Sequence, residues 1–295
     1  MSEPIRRSLN SQRTDGIVRQ RQSRQLTELR NYIQQNQSSI SNALSRILSQ
    51  LHGGENQSQF VFIGETHGTG HALAESVAES FTRLQGETQA RGETLVLAVE
   101  LDVSNQRAAA NSPVDTLDGL LRTQDEDYTS NGMWPVLLAA RRAGIQVHCV
   151  DPGIPGLPHG QAPTTTQFDT RESILLDNIA RLANSRTRVI YYGGHIHGSR
   201  NPIQNNNHTF NSVASRLIRR YGASSVISLR NANNQTGFDG APRQESLLPT
   251  VASVLSQTTN NNEITVVPTG GPITNNFGSH DYVIIVPERE VHDRR

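Results

Sequence analysis

An acid and an imidazole follow a short apolar run in the sequence FVFIGETHGTGH, residues 60–71. Glu65 and His67 are two residues apart, so in an extended chain their side chains point to the same side. A carboxylate beside an imidazole can transfer protons or bind a metal ion. In the alternative interpretation, His67 caps the following helix and Glu65 is a solvated acid of the turn. The stretch indicates a candidate site and leaves its chemistry open.

Polar residues also follow the next three apolar runs. Glu100 comes after LVLAV, Asp151 after IQVHCV, and His195 and His197 after VIYYGG. Because glycines flank the two histidines, we expect them to lie on one side of the chain. Alone, each residue has an ordinary explanation as a helix-terminal acid, a cap or part of a polar turn. Ligands of parallel α/β sheets bind beyond the carboxyl ends of the strands, so together these residues predict one site there with His67.

Seven short runs rich in β-branched residues predict the strands that would position this site. Helical patterns alternate with them, which predicts an α/β fold with a mainly parallel sheet and helices on both faces. The stretch 231–262 is rich in Asn, Gly and Pro and predicts a long loop with a short helix over 247–255. The predicted strands are 60–63, 95–99, 145–150, 189–192, 226–229, 264–267 and 282–286, and the helices are 73–84, 133–143, 174–182 and 213–218.

Composition divides the chain into four predicted segments. Residues 1–24 are rich in Ser, Gln, Asn and Arg with only Glu3 and Asp15 as acids, which predicts disorder. Such a start is typical of an uncleaved type III secretion signal, and an ordinary frayed terminus is the alternative. Residues 25–53 predict two helices with a polar gap at 34–39, which pack on the domain or present a coiled-coil face. The α/β domain then spans 54–286, and 287–295 form a polar tail.

Charge and composition argue against several classes of protein. Lys plus Arg and Asp plus Glu number 27 each, so no net field favours a nucleic acid or an anionic membrane as partner. We find no apolar stretch long enough for a membrane span and no Sec signal peptide. The single cysteine, Cys149, lies in an apolar run and is expected to be a core thiol.

Several common catalytic motifs are missing. Residues 68–71 lack the Lys-Ser/Thr of a P-loop, and Leu73 stands where the dinucleotide fingerprint needs glycine. We find neither Gly-x-Ser-x-Gly nor His-Glu-x-x-His. Residues 279–281, Ser-His-Asp, are consecutive, so their side chains cannot converge as a triad. A serine nucleophile is therefore unsupported.

The remaining motifs resemble those of the superfamily that groups erythromycin esterase-like proteins, ChaN-like proteins and TIKI/TraB proteases. Residues 64–67 and 194–197 resemble its two strand-terminal Gly-x-x-His motifs, and Glu100 in VLAVELD resembles its acid. Arg171 and Glu172, before a predicted helix, resemble an Arg-acid pair of the esterase branch. The esterase motif has one more residue between acid and histidine. With its polar start, the chain also resembles the HopBA family of plant-pathogen type III effectors.

This resemblance implies a hydrolase-like domain that is secreted by a type III system into the host cell cytoplasm and elicits cell death. Its substrate would be an unknown ester or amide, attacked by water that His67 activates. Glu100 would orient that imidazole, and His197 or His195 would polarise the scissile carbonyl or protonate the leaving group. Glu65 is a second candidate acid or base.

Two questions stay open at this point. The histidines and Glu100 could hold Zn²⁺ or Mn²⁺ with one coordination position open. The resemblance to the esterase branch implies instead a site that works without a metal. Haem, which ChaN-like proteins bind, is less expected because the chain has no lipobox cysteine. The alternative function is a non-catalytic effector that binds a host protein, such as a TIR-domain immune protein, through the same fold.

Overall fold

The computed structural model describes residues 24, 27–50, 59–65, 72–114, 133–154, 164–205, 208–231, 264–271 and 279–286. Its strands are β1 (Ser38–Ser39), β2 (Gln59–Glu65), β3 (Thr94–Asp102), β4 (Gln146–Asp151), β5 (Thr187–Gly194), β6 (Ile203–Asn205), β7 (His208–Phe210), β8 (Val226–Asn231), β9 (Thr265–Pro268) and β10 (Tyr282–Ile285). Its α-helices are α1 (27–36), α2 (Ile40–Gln50), α3 (Ala72–Ala90), α4 (Gln106–Asn111), α5 (Met133–Arg142), α6 (Thr165–Ala180) and α7 (Val213–Tyr221).

One eight-stranded sheet forms the centre, in the order β1-β9-β10-β8-β2-β5-β3-β4. The strands from β10 to β4 are all parallel to their neighbours, and β9 alone runs antiparallel between β10 and β1. All seven predicted strands are present, and the predicted mainly parallel α/β fold is confirmed. Strand β2 lies between β8 and β5, so the motif after β2 emerges near the middle of the sheet.

Helices cover both faces of the sheet, as predicted. The side chains of β2 alternate between the two layers, as a strand requires. Val61 and Ile63 pack with α2, α3 and α5, whereas Phe60 and Phe62 pack with α6 and α7. Two separate cores hold the sheet, and the candidate site lies at the end of the second one.

The N-terminal region contributes two helices, as predicted, and also a short strand. Leu29 and Ile33 of α1 are buried, and α2 buries one face against the sheet. The polar gap between the helices contains β1, which pairs with β9 at the edge of the sheet. The domain boundaries at 53 and 286 stay predictions. Nearly all of 1–24, the predicted helix over 247–255 and the tail 287–295 lie outside the described residues.

Helix α6 differs from the prediction at its start. It begins at Thr165, because the Thr164 side chain accepts from the backbone of Gln167 and the Gln167 side chain accepts from the backbone of Thr164. The sequence places Arg171 and Glu172 before a predicted helix. In the structure they lie inside α6.

Two further expectations concern buried sulfur and membranes. Cys149 is a free, buried thiol, and burial raises its pKa to about 12. It is therefore an inert core residue, as predicted. In the described part of the chain, every helix is too short or too polar to cross a membrane.

Candidate functional site

Three of the predicted site residues converge at the carboxyl ends of neighbouring strands. The order β5-β3-β4 brings Glu100 of β3 and Asp151 of β4 close to His197, which follows β5. All three are buried, with exposed fractions of 4%, 2% and 1%. His67, the fourth residue expected there, lies outside the described residues.

Glu100 is the centre of this cluster and accepts four hydrogen bonds from other residues that the structure describes. Its Oε1 accepts from Arg171 Nη2 at 2.7 Å and lies 3.0 Å from Nε2 of His197. Its Oε2 accepts from the hydroxyl of Tyr191 at 3.0 Å and from the backbone N–H of Gly194. A buried carboxylate with this many donors is held in one position.

His197 lies between two carboxylates. Nε2 faces Glu100, and Nδ1 contacts Oε1 of Glu172 in α6. Burial alone would lower the pKa of His197, but the carboxylates of Glu172 and Glu100 outweigh it and raise the pKa to about 10. Glu172 is held in turn by the backbone N–H of Val213, at the start of α7, which donates to Oε2 at 2.9 Å. His197 is therefore an imidazolium at neutral pH, with both N–H groups directed at acids.

Arg171 joins the cluster to the open side of the site. Its Nε and Nη2 donate to the two oxygens of Asp151 at 2.8 and 2.7 Å, and Nη2 also donates to Glu100. Burial alone would lower the pKa of Arg171, but these acids raise it above its usual value. The side chain of Arg171 is 17% exposed. A cavity of about 170 Å³ borders it, lined by Gly153, Ile154, Thr166, Gln167, Thr170, Arg171 and Ile174.

Aromatic rings and a glycine shape the floor of the cluster. The ring of Phe168 stacks parallel to His197 at 6.2 Å between centroids, and Tyr191 meets the same imidazole edge-on at 6.1 Å. A Cβ at Gly193 would lie 2.5 Å from Oε2 of Glu100 and 2.6 Å from the hydroxyl of Tyr191. Only glycine leaves room there for the carboxylate.

His195 does not share a side with His197, which corrects the expectation from their spacing. After Gly194 the chain forms a 3₁₀ turn, His195–Gly198, rather than staying extended. At about three residues per turn, residues two apart point in different directions. The Nδ1 of His195 lies 3.3 Å from the backbone oxygen of Glu65. Its Cα packs so closely on β2 that a Cβ at Gly64 would lie 2.6 Å from it.

Glu65 is buried, with 4% exposure, so it is not the solvated turn acid of the alternative interpretation. Burial, then the carboxylate of Glu65, raises the pKa of Tyr192, which packs on the face that carries α2 and α3. Tyr191, which binds Glu100, packs on the other face. The side chains of Glu65 and Glu100 thus approach the edge of the sheet from opposite faces.

The described residues do not fit a divalent metal. Both nitrogens of His197 are engaged by acids, and its raised pKa keeps it protonated, whereas a ligand imidazole must be neutral. Across the described ranges, no group of three or more His, Cys, Asp or Glu side chains is arranged to hold an ion.

Three members of the cluster were not predicted as site residues. Arg171 and Glu172 appeared in the sequence only through the resemblance, and Tyr191 looked like one more apolar strand residue. The available signal was local: Thr164 and Gln167 form a capping box, which places residues 171 and 172 two turns into a helix beside the strand ends.

Comparison with known proteins supports the fold independently. No family model and no curated protein matches the sequence. Among solved structures, a mutant of the erythromycin esterase EreC in its open conformation matches with a TM-score of 0.54. The match is 12% identical and covers 83% of this chain and 93% of that one.

The chain has the erythromycin esterase-like fold. Two other structures match less well. The type III effector HopBA1 has a TM-score of 0.36 at 19% identity, over 61% of this chain and 79% of that one. The haem-binding protein ChaN of Campylobacter jejuni has a TM-score of 0.46 at 11% identity, over 82% and 91%. The predicted resemblance is thus confirmed at the level of the erythromycin esterase-like fold, and identities this low establish the fold alone.

Proposed function

We propose that the chain is a hydrolase that uses water to cleave an ester or amide, and that it acts as a type III effector inside a host cell. The observation that carries the enzymatic part is the buried set of Glu100, Asp151, Glu172 and His197, with the partly buried Arg171 paired to it. A buried histidine whose pKa is strongly raised, among acids at the carboxyl edge of a parallel sheet, is typical of catalytic sites.

The general base is proposed to be His67 rather than His197. A base must be neutral before it accepts a proton, and the pKa of about 10 leaves His197 charged at cytosolic pH. Glu65 pairs with Gly194 across β2 and β5, so the chain leaves β2 beside the turn that carries His195 and His197. Two residues of chain span about 7 Å at most, and this length is compatible with the proposed role.

Arg171 is proposed to stabilise the oxyanion that forms when water attacks the carbonyl. Its guanidinium is fixed by Asp151 and Glu100 and borders the cavity of about 170 Å³. A preorganised donor in a buried site stabilises developing negative charge without reorganisation. His197 and Glu172 are positioning residues in this scheme, because His197 holds Glu100, Glu172 holds His197, and neither lines the cavity. His195, which is half-buried, and Glu65 remain the second acid-base candidates.

The experiment compares His67→Gln and Arg171→Met with the wild-type protein on a panel of ester and amide substrates. A general base typically contributes about a hundred- to ten-thousand-fold, and an oxyanion donor about a hundred- to a thousand-fold. We expect kcat/KM to fall by these factors while circular dichroism stays unchanged. His148→Gln is the matched control, since this histidine lies within β4 away from the cluster.

The effector part is tested in the same series by type III delivery into plant cells. We expect His67→Gln and Arg171→Met to lose cell death, and deletion of residues 2–24 to abolish translocation without unfolding the domain. Full cell death from both folded, inactive variants would reject the hydrolase and leave a binding module for a host protein.

A further inference from the structure

A second group of buried charges lies at the opposite edge of the sheet. Arg91 and Glu93 form the turn before β3, and Arg188 is the second residue of β5. Strands β3 and β5 run side by side from Thr94 and Thr187, so the three charged residues meet at the amino ends of these strands. We call Arg91, Glu93 and Arg188 the amino-edge cluster.

The amino-edge cluster holds two cations and one anion. Glu93 bridges the arginines: Oε2 accepts from Arg91 Nε at 3.1 Å, and Oε1 accepts from Arg188 Nη2. Arg188 is only 5% exposed. Burial, and repulsion by Arg91, lower its pKa in spite of Glu93. The two guanidinium groups therefore carry one more positive charge than their shared carboxylate neutralises.

Three donor nitrogens of this cluster are buried and have no hydrogen-bond acceptor in the described part of the chain. They are Nη2 of Arg91 and both Nε and Nη1 of Arg188. A buried guanidinium is normally paired, because each unsatisfied donor carries its full cost of desolvation. Burying like charges together adds to this cost. The arrangement is therefore complete only when a further acceptor with negative charge is present.

We propose that the amino-edge cluster is a binding site for a small oxyanion, a phosphate group or a carboxylate. Guanidinium groups bind both through paired N–H donors, and the free Nε and Nη1 of Arg188 offer two donors from one rigid fork. The side chain of Arg91 is 22% exposed, so the ligand enters past it. This site is separate from the proposed catalytic cluster, which lies at the other end of β3 and β5.

The experiment follows unfolding of the full chain in inorganic phosphate, in acetate and in chloride at matched ionic strength. At about one hundred times Kd, a ligand lowers the unfolding equilibrium constant about a hundred-fold. We expect a saturable effect of phosphate or of acetate that Arg188→Met and Arg91→Met abolish. Arg83→Met is the matched control, because Arg83 pairs with Glu87 on the surface of α3 and should leave the effect intact. If Arg188→Met fails to fold, Arg91→Met carries the test.

Two results would overturn the proposal. An equal effect of these anions on the wild-type protein and on Arg188→Met would mean a general action of salt. No effect on either protein would mean that only water hydrates the free donors. Both results are independent of hydrolysis, so they do not bear on the proposed catalytic function.

Discussion

The two ends of β3 and β5 treat buried charge in different ways. At the carboxyl edge, Glu100 accepts four hydrogen bonds and His197 contacts a carboxylate on each side. At the amino edge, Arg91 and Arg188 share Glu93 and leave three donors unpaired. Among the described residues, the charged groups of the carboxyl edge face partners of opposite charge, whereas three donors of the amino edge face no acceptor. The degree of pairing therefore separates a network whose charged groups are positioned by one another from one whose donors still lack an acceptor.

The largest expected effect is the difference in stability between Glu100→Ala and Arg188→Met. Glu100→Ala removes one of the two acids that pair with Arg171 and with His197, and it leaves the Tyr191 hydroxyl and the Gly194 N–H without this acceptor. Breaking such a buried network costs about 3–5 kcal/mol. Arg188→Met removes an incompletely paired cation and leaves Glu93 with Arg91, so we expect a loss below about 1 kcal/mol in chloride buffer. Urea unfolding measures both free energies. Equal losses would show that the two edges are equally well paired.

A second prediction concerns the pH dependence of the carboxyl edge. The folded pKa of His197, about 10, lies above its unfolded value of about 6.5. The imidazolium therefore stabilises the fold fully below pH 6.5, and this contribution is lost as pH rises through 10. The free energy of unfolding falls by at most about 1.4 kcal/mol per pH unit between these limits.

The measurement is urea unfolding at pH 7 and pH 9 for the wild-type protein and for His197→Gln. Only the wild-type protein should show this slope, and an NMR titration of the imidazole should confirm the raised pKa. Identical slopes in the two proteins would contradict the placement of His197 between Glu100 and Glu172. The amino edge has no such titration, since arginine stays charged throughout this range.

The smallest effect is expected from a single methyl group at Gly193. Alanine there would push on Glu100 and Tyr191, and overpacking of this kind costs about 1–3 kcal/mol. Gly86 in α3 is the matched control: a Cβ there meets no atom within 4 Å, and alanine in a helix gains about 0.5–1 kcal/mol. Thermal unfolding should move the two melting temperatures in opposite directions. A neutral Gly193→Ala would mean that the carboxylate of Glu100 has room to move.

The strands could be predicted because buried parallel strands are continuous apolar runs. All eight residues of β5 are buried, for example. Strand β1 could not, because two serines carry no such pattern. The antiparallel direction of β9 could not be predicted either, since the hydrophobic pattern of a strand is the same in both directions. Pairing, rather than composition, determines both features.

For the site, the strand ends were sufficient to predict Glu100, Asp151 and His197 but not their partners. Arg171 and Glu172 come from α6, whose first turns, Thr-Thr-Gln-Phe-Asp, lack apolar periodicity. Their approach to the strand ends is a property of packing between α6 and the sheet. The prediction that His195 and His197 share a side was wrong for a related reason. It assumed an extended chain, whereas a 3₁₀ turn forms there.

The pairing of β1 with β9 has a consequence for how the chain folds. Ser38 lies opposite Val266, so the edge of the sheet joins two segments from distant parts of the sequence. Closing so long a loop costs conformational entropy before the contact repays it, which makes such pairings form late. Until then, β9 presents unpaired backbone groups to other chains, and exposed edges of this kind promote aggregation. Ser38 and Ser39 thus protect the sheet against aggregation by pairing with the edge of β9.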